Sequence, residues 1–266
     1  MKNKPRQKIL HPTDFSETAN NALSFAQEIA LKKDAGLLVM HSFKPPYNYG
    51  TKELMDDLIT KSRAKNVNLE TSFEEGNTVP NILGIDADLI VMGSKRKTNM
   101  ETILFGNVAC KVILESSVSV LVIPSEHTYS DFKNIAFATD YRDRDLEALQ
   151  YTIELATLFS AKITILHIAP KNDLESKIKF KGFNELVTEN FDYPEMEFKL
   201  IFDKDFTSGF FSFLNEYEQG TDLLVMTRYK KTFLQSLMQK NHLKKAKYTE
   251  VPLMVLPGDE NLLKTS

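Results

Sequence analysis

Residues 8–16 read KILHPTDFS, and residues 134–142 read NIAFATDYR. The two stretches lie 126 positions apart, and the similarity continues beyond them. Aligned without gaps, residues 8–44 and 134–170 share nine identities in 37 positions. The chain has 266 residues, so each half has the size of one α/β domain. The sequence therefore predicts two copies of one domain rather than two different domains.

The repeat extends into the later part of each copy, at an offset of 134. The segment DLIVM at 88–92 corresponds to DLLVM at 222–226. Each copy then ends in an apolar segment closed by proline, VSVLVIP at 118–124 and VPLMVLP at 251–257. From these limits we predict domain 1 at residues 1–124, a linker at 125–132, domain 2 at 133–258 and a polar tail at 259–266.

Short apolar strands alternate with helical segments in both copies. Ala19, Ala22, Leu23, Ala26 and Ile29 repeat at the spacing of one buried helical face. Strands that are apolar on both faces indicate a parallel sheet covered by helices on both sides. In the first copy the pattern predicts strands at 9–12, 37–40, 67–73, 89–92 and 118–123. It also predicts helices at 53–65 and near 107–115, and two further helices that begin at about residues 17 and 79. The second copy predicts strands at 163–168, 197–202 and 223–226, with helices at 143–159 and 206–217.

Composition excludes several classes of protein. Hydrophobic residues make up 42% of the chain and charged residues 26%, as in ordinary folded proteins. No apolar run approaches the ~18 residues of a membrane-spanning helix, and no apolar signal core follows the basic first residues. We therefore expect a cytoplasmic protein without a membrane partner. The net charge of −3 and the lack of a recognised nucleic-acid-binding motif disfavour nucleic acid as a partner.

The quoted segments, together with DLIVMGS at 88–94, resemble the universal stress protein family, and the likeness covers nearly the whole chain twice. The resemblance to tandem members implies two Rossmann-like domains, each with a five-stranded parallel sheet of order 3-2-1-4-5. It also implies a pseudo-dimer in which the last strands of the two domains pair. A ligand site is expected where the strand order reverses, which is also the general rule for open α/β sheets. Some members bind ATP there, and others have lost nucleotide binding.

ATP-binding members carry two glycines three positions apart, then nine residues, then a glycine followed by Ser or Thr. Here Gly93 and Ser94 begin this pattern, and Gly106 and Asn107 end it at the matching spacing. Arg96 replaces the second glycine. Its side chain either blocks the phosphates or pairs with them through its guanidinium group. Asn107 replaces the hydroxyl residue, and asparagine is a good helix cap.

The second copy has lost all three glycines, because Thr227, Lys230 and Lys240 stand at those positions. We therefore expect no glycine-lined phosphate site there. Thr13 and Asp14 complete the candidate nucleotide site of domain 1, and the resemblance implies that Asp14 lies near the adenosine. From the residues alone, Asp14 and its counterpart Asp140 equally well cap the turn or helix that follows.

We predict no catalytic residue and no metal site. No histidines share the spacing of a metal-binding helix, and His41 and His167 occupy equivalent strand ends, as structural histidines do. The leading interpretation is a stress-response binding or regulatory protein, with a degenerate nucleotide site in domain 1 and a lost one in domain 2.

The first alternative is a stress sensor that binds ATP, with magnesium, in domain 1 only. The second is a slow nucleotide hydrolase, which ranks last because no general base is evident. Expected partners are an adenine nucleotide or another small anion, and unidentified proteins. A homodimer is compatible with the sequence but not required by it.

Overall fold

The computed structural model describes residues 7–45, 50–94, 106–125, 127–216, 220–228 and 251–258. The described residues before Ser130 form one compact unit, called unit 1, and those from Ser130 onward form unit 2. The residues at 95–105, including Arg96, and at 229–250 lie outside the described ranges. No helix in the described ranges is long and apolar enough to cross a bilayer.

Unit 1 contains five strands and four helices that alternate along the chain. All of its strand pairs are parallel, in the order β3-β2-β1-β4-β5. Its elements are β1 (Lys8–Pro12), α1 (Glu17–Lys33), β2 (Gly36–Phe43), α2 (Gly50–Ala64), β3 (Leu69–Glu75), α3 (Thr78–Gly84), β4 (Leu89–Ser94), α4 (Asn107–Glu115) and β5 (Ser119–Pro124).

Unit 2 has the same sheet order, β8-β7-β6-β9-β10, again with parallel pairs. Both units therefore confirm the predicted α/β fold and the order 3-2-1-4-5. The elements of unit 2 are β6 (Asn134–Ala138), α5 (Asp143–Phe159), β7 (Lys162–Ala169), α6 (Leu174–Asn190), β8 (Met196–Phe202), α7 (Phe206–Glu216), β9 (Leu223–Thr227) and β10 (Leu253–Leu256).

The repeat is reproduced residue by residue in the first three elements of each unit. The bounds of β1, α1 and β2 shifted by 126 positions are those of β6, α5 and β7. Helix α1 ends on Asp34 at φ 49°, and α5 ends on the equivalent Ser160 at φ 50°. Each of these left-handed residues donates its backbone N–H to carbonyls of the last turn. The offset of 126 can therefore be used to compare side chains at equivalent positions.

Apolar strands and the inner faces of the helices form the core of each unit. Leu10, Val39 and Val91 are fully buried in neighbouring strands of unit 1, and Ala22 and Ala26 of α1 are fully buried against that sheet. Because the strands are parallel, every helix begins near the carboxyl ends of the strands. This arrangement places several loops and helix N-termini at the edge where the strand order reverses.

Candidate functional site

A cleft of about 250 Å³ lies at the carboxyl ends of β1, β2 and β4 in unit 1. Strand β1 has β2 on one side and β4 on the other, so the cleft is at the reversal point of the strand order. The first turns of α1, α3 and α4 also contribute to its wall. The residues that line it are Pro12, Thr13, Asp14, Ser16, Thr18, Ala19, Met40, His41, Ser42, Thr78, Ile82, Met92, Gly93 and Val108.

The turn between β1 and α1 is organised by short side chains. The Thr13 hydroxyl accepts from the Phe15 N–H at 3.0 Å, and the Asp14 carboxylate accepts from the Ser16 N–H at 3.0 Å. Ser16 is the N-cap of α1, and its hydroxyl accepts from the Ala19 N–H at 3.3 Å. Asp14 therefore shapes the turn, while Ser16 caps the helix. Asp14 is also exposed and lines the cleft.

Gly93 lines the cleft at the end of β4 and is packed closely against α1. A Cβ atom at this position would lie 2.6 Å from the Thr18 carbonyl oxygen and 2.9 Å from its carbonyl carbon. The first turn of α1 can cross the strand here only because residue 93 has no side chain. The first glycine of the signature thus has a packing role in this protein.

Ser94 and Gly106, which flank residues 95–105 in the sequence, are brought together. The Ser94 hydroxyl accepts from the Gly106 N–H at 2.8 Å, and Ser94 is buried. Gly106 is the N-cap of α4 at φ −64°, and Asn107 is the first helical residue. The expectation that Asn107 caps this helix is therefore wrong by one position. The start of α4 is held instead by the bond from the Gly106 backbone to Ser94.

The first turns of two helices favour an anionic group in one part of the cleft. The free N–H groups in the first turn of a helix carry partial positive charge, and two helices of eight or more residues, α1 and α4, begin at this cleft. Asp14 contributes negative charge in the same place, which suits a hydroxyl donor such as a ribose better than a phosphate. The part of the cleft at the helix N-termini thus favours an anionic group, and the part at Asp14 favours a hydrogen-bond donor.

His41 lines the cleft, although the sequence indicated only a structural histidine. Its Nδ1 atom lies 2.8 Å from the Thr13 carbonyl oxygen, and its ring packs against Phe15 with centroids 4.7 Å apart. The equivalent His167 repeats the bond to the Thr139 carbonyl at 2.8 Å. The structural role is therefore present in both units. The position of His41 in the cleft follows from the adjacency of β1 and β2, which the sheet order predicts.

His11 lies behind the cleft on β1 and is fully buried. Its Nδ1 donates to the Val91 carbonyl at 2.8 Å, and its Nε2 has no hydrogen-bond partner among the residues that the structure describes. Burial lowers the pKa of His11 from 6.5 to about 4, while the Val91 carbonyl and the Asp14 carboxylate oppose this shift. His11 is therefore neutral near pH 7.

The corresponding turn of unit 2 contains a buried carboxylate. Asp145, in the first turn of α5, accepts from the Thr139 hydroxyl at 2.7 Å and from the backbone N–H of Asp140 at 2.9 Å. It also accepts from the backbone N–H of Arg142 at 3.2 Å. Asp145 therefore accepts from three donors around the start of this helix. The Tyr141 ring stacks on His167, with centroids 3.9 Å apart.

Of the predicted site residues, Thr13, Asp14 and Gly93 line the cleft, and Ser94, Gly106 and Asn107 hold or begin α4 beside its lining residue Val108. Arg96 lies outside the described residues. Across the described part of the chain, no group of three or more His, Cys, Asp or Glu side chains is arranged to hold a metal ion. Burial raises the pKa of the Cys110 thiol to about 11, so this thiol is protonated at neutral pH.

Known proteins resemble this chain in sequence and in fold. The sequence model of the universal stress protein family matches residues 5–124. A universal stress protein of Methanocaldococcus jannaschii is 32% identical to this chain over an alignment of 138 positions. That alignment covers 44% of this chain and 81% of the other protein. The match therefore accounts for most of that relative but for less than half of this chain.

Two solved structures extend the comparison. A universal stress protein from Archaeoglobus fulgidus covers 94% of this chain, and 96% of its own, with a TM-score of 0.71 and 17% identity. At that identity the match shows the fold of nearly the whole chain. A universal stress protein in complex with cAMP covers 45% of this chain and 98% of its own, at 23% identity and a TM-score of 0.39. Its ligand is a property of that protein.

Proposed function

The chain belongs to the universal stress protein family, and from this premise we propose that it is a stress-response binding or regulatory protein whose unit 1 binds an adenine nucleotide. The observation that supports the proposal is the cleft at the reversal point of the sheet, lined by Thr13, Asp14 and Gly93. In this proposal the ligand regulates the protein, and no residue acts on it chemically.

The cleft offers matching chemistry for the parts of a nucleotide. Met40 and Ile82 provide apolar wall for a flat base. The exposed Asp14 carboxylate suits the ribose hydroxyls. The N-terminal turns of α1 and α4 suit the phosphates. Magnesium, where present, would accompany the phosphates rather than a set of protein ligands.

Unit 2 is proposed to bind no nucleotide in this manner. Its sequence has Thr227, Lys230 and Lys240 in place of the three signature glycines. Glycine lets a backbone approach phosphate closely, and a residue with a side chain restricts that approach. The stoichiometry expected from the proposal is therefore one nucleotide per chain.

We expect Val108→Trp to weaken binding of magnesium ATP at least tenfold. Val108 lines the cleft from α4 and is 38% exposed, so a larger side chain can be accommodated without disturbing the core. The indole would occupy space that the ligand needs. Native mass spectrometry and calorimetric titration of the full chain measure this effect.

The matched control is Lys111→Trp, which places the same indole on the exposed side of α4, away from the cleft. It should bind as the original chain does. Equal affinity in the Val108 variant, or no nucleotide bound to the original chain, would refute the proposal. Two nucleotides bound per chain would refute the proposal that unit 2 has lost nucleotide binding. Phosphate release above that of a heat-inactivated sample would favour the hydrolase alternative.

A further inference from the structure

The Asp145 carboxylate occupies a site built from three donors at the end of β6. One oxygen, Oδ2, accepts from the Thr139 hydroxyl and from the N–H groups of Asp140 and Arg142. Asp145 is 1% exposed, so these bonds replace water entirely. Part of this pattern is ordinary helix capping, in which an acid in the first turn bonds back to the N-cap N–H. The bond to Thr139 is additional, because that residue lies on the strand side of the turn.

Unit 1 has the same turn without the carboxylate. The offset of 126 places Ala19 at the position of Asp145 and Thr13 at that of Thr139. The Thr13 hydroxyl accepts from the Phe15 N–H at 3.0 Å, as the Thr139 hydroxyl accepts from the Tyr141 N–H at 3.0 Å. The two hydroxyl oxygens are therefore used identically. The two hydroxyl groups differ in the acceptor to which each donates its own hydrogen bond.

In unit 2 the Thr139 hydroxyl donates a hydrogen bond to Asp145. Within the described residues, the Thr13 hydroxyl has no acceptor for its own proton. Thr13 is only 6% exposed, and it lines the cleft together with Ala19. A buried donor without an acceptor is unfavourable, and such groups are uncommon in folded proteins. The methyl group of Ala19 leaves open the space that the carboxylate fills in unit 2.

We propose that the Thr13 hydroxyl is a ligand-binding donor, and that Asp145 supplies within unit 2 the oxygen acceptor that a ligand supplies in unit 1. The acceptor at Thr13 is an oxygen atom of the bound molecule. Its identification as a nucleotide oxygen rests on the function proposed above, whereas the donor site itself does not. In unit 2 the equivalent site is closed by the chain's own side chain.

Removing the carboxylate should open the site in unit 2 to a small carboxylate from solution. We expect Asp145→Ala to lower the Tm by several degrees. Sodium formate, which matches the group removed, should restore part of this loss, whereas sodium chloride at equal ionic strength should not. The original chain and Asp145→Asn, which keeps an oxygen acceptor, should show no such response to formate. Equal effects of formate on all three proteins would overturn the inference.

The reciprocal substitution should close the site in unit 1. Ala19→Asp places a carboxylate where unit 2 has Asp145, and we expect it to reduce magnesium ATP binding at least tenfold. Asn20→Asp adds the same charge at an exposed neighbouring position outside the cleft and should bind as the original chain does. Equal affinity of the Ala19 and Asn20 variants would overturn the inference. If the original chain binds no ATP, the proposed function fails, and the formate experiment alone decides the inference.

Discussion

Gly93→Ala should lower the free energy of unfolding of unit 1 by about 3 kcal/mol, because the added methyl group has no space. The new Cβ would meet the Thr18 carbonyl oxygen at 2.6 Å, and that oxygen belongs to the backbone of α1. A backbone atom cannot rotate away as the end of a side chain can. Relief would require the helix to move away from the sheet, which would loosen the packing of Ala22 and Ala26.

Hydrogen-exchange mass spectrometry on the full chain measures this effect separately in each unit. Peptides from β1 and β4 should lose protection, and peptides from unit 2 serve as an internal reference. The matched control is Gly36→Ala, another strand glycine, whose Cβ would have only the Gln7 carbonyl oxygen within contact range, at 3.9 Å. Equal protection in the two variants would contradict the packing role of Gly93. Because the helix moves, this variant cannot serve as a test of nucleotide binding.

Acidification should destabilise unit 1 through His11 by about 3 kcal/mol in total. Burial lowers the pKa of this imidazole from 6.5 to about 4 in the folded protein. Since the folded pKa lies below the unfolded value, the unfolded chain binds the proton first as the pH falls. The loss therefore begins near pH 6.5 and is complete below about pH 4. Above pH 7 this residue contributes no pH dependence.

The variant His11→Phe isolates this contribution. Unit 2 has Phe137 at the equivalent position, fully buried in the same fold, so the replacement suits the site. The difference in unfolding free energy between the original chain and the variant should change by about 3 kcal/mol between pH 7 and pH 4. Other titrating groups cancel in this difference. Loss of the bond to Val91 shifts the whole difference but does not change its slope, and parallel stability curves would contradict the prediction.

Most of the fold could be predicted from the sequence. The strands were recognisable because they are short, apolar on both faces and separated by helical periodicity, and the repeat gave each assignment a second copy. Helix α6 was implied only by the repeated order of the elements, and no bounds were predicted for it. Only Phe183 and Val187 are buried along its 17 residues, so it shows little apolar periodicity.

The candidate site was predicted only in part. Strand ends at the reversal point were expected to carry it, and Thr13 and Asp14 do line the cleft there. The contributions of Thr78, Ile82 and Val108 come from helices distant in sequence, and no local pattern marks them. The single position at which Asp145 replaces Ala19 also gave no signal, because an acid in the first turn of a helix is common.

By itself, the sequence determined that two copies of one parallel α/β domain follow each other and that the second has lost its signature glycines. Those properties reside in hydrophobic periodicity and in residue identity, which are local. Only the tertiary structure decided that Gly93 is required by a crossing helix, that His11 is held neutral, and that Asp145 accepts a hydrogen bond from the Thr139 hydroxyl. These depend on which atoms meet when distant segments pack, and the spacing of residues along the chain does not contain that information.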